Sequence, residues 1–203
     1  MRETASLFWQ LIKSPRAFFK RLEKPSPAIW RFCLGIYGAS IIAASIFYTW
    51  KPEGFPKDGF SAEVGSHSIL FWLAMGAAGA GLTVLVGAMI WLLLRFLEGK
   101  FKITLPQTLL VLFASHVWYL ILFAVLAAAC ILMSAELYKI AEFIFSLAGF
   151  IFTIAGIKTL GRSTAPRVFV CLLVSSLGIV CLLFGLYLAE ILPGDILKVL
   201  LFV

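Results

Sequence analysis

Five long apolar runs, 29–48, 69–94, 109–133, 140–160 and 168–192, constrain this chain more tightly than any other feature. A bilayer core about 30 Å thick takes roughly twenty residues of helix at about 1.5 Å each, and every run reaches that length. Inside hydrocarbon such a segment satisfies its own N–H and C=O groups only as an α-helix. Composition agrees: of 203 residues 62% are hydrophobic and 13% charged, with a mean hydropathy of +1.04, far from the range of soluble domains. The expected fold is therefore all-α, a polytopic membrane helical bundle of five transmembrane helices over 29–192, preceded by a segment 1–28 and followed by a short outer tail 193–203. The second, third and fifth runs exceed the minimum and leave room for tilt. The last apolar piece, 196–203, follows the turn signal Pro193-Gly194 and is too short to cross. It is expected on the outer surface or against the bundle.

Orientation follows from the basic residues, which favour the cytoplasmic side. Counted on alternate sides of the five runs, thirteen of the 17 Lys and Arg fall with the N-terminus, leaving Lys51, Lys57, Lys139 and Lys198 on the other side. The N-terminus is expected in the cytoplasm and the C-terminus outside, in a multi-pass protein of the cell inner membrane. Aromatics sit near the expected interfaces, Trp30 and Trp91 inside and Tyr48, Trp50, Trp72, Tyr138 and Tyr187 outside. The link 51–59 is broken by proline and glycine and reads as an external loop.

Before the first run, Leu7, Phe8, Leu11, Ile12, Phe18, Phe19 and Leu22 recur at helical spacing among Lys13, Arg16, Lys20, Arg21 and Lys24. Ser14 suits an N-cap and Pro15 a first helical position, so two short helices are expected, the second ending near Glu23. The pair reads as an amphipathic element lying in the membrane interface. No short apolar run with a small-residue cleavage site precedes the first span, so that span is expected to serve as the insertion signal.

Small residues four apart suit close helix contacts: Gly35 and Ala39, Gly76 and Ala80, Ala77 and Gly81, Gly149 and Thr153. The cluster of Gly76, Gly79, Ala80 and Gly81 marks the second span as a central helix or a dimerising one, and packing within one bundle is the simpler reading. His116, next to Ser115 and followed by Trp118 and Tyr119, falls about 10 Å into the hydrocarbon from the inner side. At similar depth the other spans carry Tyr37, Thr153, Ser175 and Ser176, with Thr83 slightly deeper. This polar layer reads either as helix-to-helix glue or as a pathway for a substrate, ion or proton. Glu98 is placed to pair with Arg95 or Lys102 at the entrance to the third span.

Enzyme chemistry finds no support in these residues, and the expectation is a non-enzyme. There is no GxSxG, HExxH or phosphate-binding loop, and no carboxylate lies mid-span. His67 and His116 differ too much in depth for one metal site. Cys33, Cys130, Cys171 and Cys181 lie in apolar runs without ligand spacing and read as small hydrophobes. No cofactor or metal is expected. The net charge of +7 is placed beside apolar runs without a nucleic-acid motif, so the expected acidic partner is the lipid headgroup layer rather than nucleic acid.

Three stretches give the chain a family likeness: Ser14-Pro15-Arg16-Ala17-Phe18-Phe19 with Leu22 and Pro25-Ser26; Leu97-Glu98-Gly99-Lys100-Phe101-Lys102-Ile103 leading to Gln107-Thr108-Leu109 and Ala114-Ser115; and Gly161-Arg162-Ser163-Thr164-Ala165-Pro166-Arg167. With them the chain resembles bacterial members of the Ypt-interacting-protein (YIP) domain family of five-pass membrane proteins. The resemblance implies five helices and a cytoplasmic N-terminus. In eukaryotic relatives it also implies small-GTPase binding in vesicle traffic, but their aromatic-acidic motifs do not occur in this sequence. The expected function is a membrane-organising or adaptor role through a basic cytoplasmic face made of Lys13, Arg16, Lys20, Arg21, Lys24, Lys100, Lys102, Arg162 and Arg167, which would engage anionic headgroups and a membrane or cytoplasmic protein. The alternatives are a small transporter, channel or lipid-moving protein using the layer around His116, and a subunit of a larger complex or homo-oligomer joined through the second span.

Overall fold

A computed structural model describes residues 2–50, 69–98, 102–129, 135–194 and 197. Among these residues the regular structure is helical: α1 (Arg2–Lys13), α2 (Pro15–Arg21), α3 (Pro27–Trp50), α4 (Ile69–Glu98), α5 (Leu105–Ser115), α6 (Val117–Ala129), α7 (Ala135–Gly161) and α8 (Ala165–Leu188). Among the described residues five stretches are long and apolar enough to cross a membrane, Pro27–Ile46, Gly76–Leu97, Leu105–Val125, Phe143–Gly161 and Ala165–Leu188, the third formed by α5 and α6 together. The external loop 51–59, His67, Lys100 and Cys130 lie outside the described residues.

Capping chemistry sets several boundaries. Thr104 has extended backbone angles, its hydroxyl accepts from the Gln107 N–H, and the Gln107 side chain accepts from the Thr104 N–H, with Pro106 in the first turn. This reciprocal box satisfies two donors that a helix start leaves open, so the third span begins at Leu105 rather than at Leu109. The fifth begins early for a related reason, with Thr164 extended and Pro166 in the first turn. It ends at Leu188 rather than at Leu192. Glu190 adopts a left-handed φ of 58°, and the N–H groups of Ile191 and Leu192 both turn back to the Leu186 carbonyl. Leu197 of the tail packs with Ile179 and Leu183 against the bundle.

The third span is the centre of the bundle. It touches α3, α4 and α7, while α8 packs on α4 and α7. In its most apolar eighteen-residue stretch 56% of the residues are buried inside the protein, against 17% for the second span. Of the two readings of the glycine-rich second span, central or dimerising, the first is corrected here. Its glycines make room for neighbours on one side without surrounding the helix. A Cβ at Gly76 would collide with Ile41 of α3, one at Gly79 would stand 3.3 Å from the Tyr37 hydroxyl, and one at Gly87 would stand 2.6 Å from Leu109. Ala80 is half-buried, whereas Gly81 is exposed with open space over its Cα.

Helices α1 and α2 belong to the bundle. Leu7, Leu11, Phe18, Phe19 and Leu22 are buried in the main core cluster, the two phenylalanines completely. Phe19 meets Phe152 of α7 in a tilted pair with ring centroids 4.8 Å apart, and Phe18 meets Phe32 of α3 in another at 5.9 Å. Expected to offer its apolar face to the interface, the segment instead turns that face into the protein, because α7 presents Gly156 where Phe19 arrives. A Cβ there would lie 2.9 Å from Phe19 and 2.7 Å from Val111. Ser14 occupies the N-cap position and Pro15 the first helical one as read from the sequence, but the Ser14 hydroxyl makes no capping bond.

Candidate functional site

Three ties gather the charged segments at one end of the bundle. The Gln107 amide donates to the Glu23 carbonyl at 2.9 Å, fixing the end of α2 to the start of α5. The Trp91 indole donates to the Ile103 carbonyl at 3.1 Å, fixing the end of α4 to the same place. Phe19 fixes α2 to the end of α7 over Gly156. Through them Lys13, Arg16, Lys20, Arg21 and Lys24 share an end with Lys102, Lys158, Arg162 and Arg167, and all of these are exposed.

Local chemistry holds some cations in place. Lys13 stands 4.9 Å over the Trp9 ring and Arg95 stands 5.2 Å over Trp91, both within cation–π range. The expected partner of Arg95, Glu98, has its side chain outside the described residues. Arg162 sits at the left-handed φ of 54° that closes α7, so its position is set by the helix end. Long side chains of this kind keep their charge in water or headgroups while their stems cover apolar surface.

The polar layer is brought together only in part. Tyr37 donates to the Gly76 carbonyl at 3.0 Å, with Thr83 beside its hydroxyl, and its ring meets His116 edge-on at 4.6 Å. Thr83 donates to the Gly79 carbonyl and Thr153 to the Gly149 carbonyl. Ser175 is fully buried and its hydroxyl has no partner. Ser176 is exposed and is not part of the layer. A pair that sequence reasoning did not connect, Tyr119 and Ser146, bonds across α6 and α7 at 3.2 Å.

His116 breaks the third span. Its N–H turns to the Phe113 carbonyl at 3.3 Å. The Leu112 carbonyl, freed by that shift, accepts from the Ser115 hydroxyl at 2.7 Å and faces His116 Nδ1 at 3.0 Å. A carbonyl only accepts, so Nδ1 carries the proton. The imidazole thus replaces a backbone bond within its own helix, and is not the bridge between helices expected from the sequence. The helix resumes with the Leu120 N–H on the His116 carbonyl.

Most hydroxyls of the layer are committed to main-chain carbonyls, which is how Ser and Thr are satisfied inside membrane helices. Among the described residues no group of three or more His, Cys, Asp or Glu side chains could hold a metal ion. Comparison with protein-family models, with curated proteins and with solved structures finds no match to this chain.

Proposed function

We propose that this is a non-enzymatic membrane-organising or adaptor protein of the YIP type, acting through its basic end on the cytoplasmic side of the cell inner membrane. The observation that carries this reading is the docking of α2, which makes its cations a fixed part of the same surface as Lys102, Arg162 and Arg167. Each cation near an anionic leaflet contributes about 1 kcal/mol of attraction. A fixed array also presents one charge pattern to a protein partner without the ordering cost of a mobile tail. The polar layer gives the transport reading less support, because the hydroxyls of Tyr37, Thr83, Ser115 and Thr153 are spent on carbonyls.

The test uses full-length protein in which Lys13, Arg16, Lys20 and Arg21 are all replaced by Gln. Proteins that co-purify in mild detergent are compared with those recovered by the wild type. A partner of this face should fall about tenfold, since four exposed ion pairs at about 0.2–1 kcal/mol each are lost. An unchanged set of co-purifying proteins would count against the proposal.

A further inference from the structure

An open groove of about 880 Å³ runs between α1 and α3, on the side where the two helices do not close on each other. Its floor is Gly35 and Ala39, one turn apart, and its walls include Phe8, Trp9, Ile36 and Leu120. A Cβ on Gly35 would meet nothing within 4 Å, so the space above it is free. From Ala28 to Ala39 the α3 side of the groove is about 16 Å long at a helical rise of about 1.5 Å per residue. Arg31 lines the same groove. Its side chain is exposed, and its Nε donates to the Pro27 carbonyl at 3.4 Å. Lys13 adds a second cation beside the Trp9 wall.

We propose that this groove binds an anionic glycerophospholipid, with the phosphate at Arg31 and one acyl chain along Gly35 and Ala39. An apolar trough with a cation near one end is complementary to a molecule with an apolar tail and an anionic head. Guanidinium suits phosphate because its planar fork can make two parallel charge-assisted hydrogen bonds. The depth agrees as well. Arg31 lies in the first turns of a membrane-spanning helix, and Gly35 and Ala39 lie one and two turns further along it. A second copy of the chain is a poorer occupant, because a twofold contact through this face within one membrane would set both Arg31 guanidinium groups at the same depth in one apolar seam. The proposal rests on placing the basic end at headgroup level, and adds a defined site to a face otherwise described only by its charge.

The test is native mass spectrometry of the full-length protein incubated with equal amounts of phosphatidylglycerol and phosphatidylcholine. The wild type should retain phosphatidylglycerol in preference. Arg31→Gln should reduce that preference roughly tenfold, the loss expected for one charge-assisted contact. Gly35→Leu places a side chain on the floor, where a Cβ meets nothing within 4 Å, and should lose both lipids. Gly38→Leu, on the same helix where a Cβ also meets nothing, should behave as the wild type. The site is overturned if Arg31→Gln keeps the wild-type preference, if Gly35→Leu keeps its lipid, or if Gly38→Leu loses as much as Gly35→Leu. It is also overturned if the protein is a dimer that Gly35→Leu separates, since the groove then holds a second copy. A paired Lys20→Gln/Arg21→Gln variant distinguishes the two proposals. If it abolishes the preference while Arg31→Gln does not, the basic end still meets anionic lipid and the groove site fails.

Discussion

Phe19 fills the space that a side chain at Gly156 would need: a Cβ there would lie 2.9 Å from its ring. This contact, with the Phe152 ring 4.8 Å away, makes the N-terminal helices part of the bundle. Gly156→Leu should displace α2 and lower stability by about 1–3 kcal/mol, the usual cost of overpacking. Unfolding in detergent measures the loss, and faster protease cleavage within 14–24 should accompany it. Unchanged protease resistance would argue against the docked arrangement.

Gly76 and Gly81 separate packing inside the bundle from packing between copies. Gly76→Val should collide with Ile41 and destabilise by about 1–3 kcal/mol, while Gly81→Val, in open space, should change stability by less than about 0.5 kcal/mol. Ile41→Ala should recover part of the Gly76→Val loss, a coupling that a double-mutant cycle reads directly. Additive losses would mean that the two residues do not meet.

Gln107 has two duties that chemistry can divide. Its Oε1 caps Thr104, and its Nε2 holds the Glu23 carbonyl. Gln107→Glu keeps the first and loses the second, so it should free the end of α2 with little change in the start of α5. Gln107→Ala should cost about 1 kcal/mol more, the usual worth of a cap. Hydrogen exchange at 19–24 and 104–108 distinguishes the variants.

His116 and Ser115 act on one carbonyl, that of Leu112. Either side chain alone can partner it, so His116→Ala and Ser115→Ala should each cost about 0.6 kcal/mol, the average for hydrogen bonds in a membrane interior. The double variant should cost more than the sum, because the carbonyl then has no side-chain partner. Denaturation of the four proteins in one detergent tests this.

Much of this architecture was legible in the sequence, because hydrocarbon thickness and the helical hydrogen-bond pattern leave few choices for five apolar runs. Helix ends were less legible where a cap outweighs hydropathy. Thr104 and Gln107 start the third span early, and Glu190 stops the fifth early. The small residues of the second span showed that something approaches closely, but not from how many sides. The spacing of Phe18, Phe19 and Leu22 showed an apolar face, yet lipid and protein are equally apolar. What decides for protein is Gly156, more than a hundred residues away, and a single glycine in an apolar helix carries no mark of what fills it. His116 was legible as unusual, while its bond to Leu112 depends on a local break that hydropathy does not register.

The most direct test of the account is partner recovery by the full-length Gly156→Leu protein, which keeps every charge but loses the seat of Phe19. If the functional surface is the assembled end of the bundle, this variant should lose the partner as the variant with Lys13, Arg16, Lys20 and Arg21 neutralised does, and Gly81→Leu should retain it. Full recovery by Gly156→Leu, with α2 shown by proteolysis to be released, would contradict the account and make the N-terminal segment an independent charged peptide.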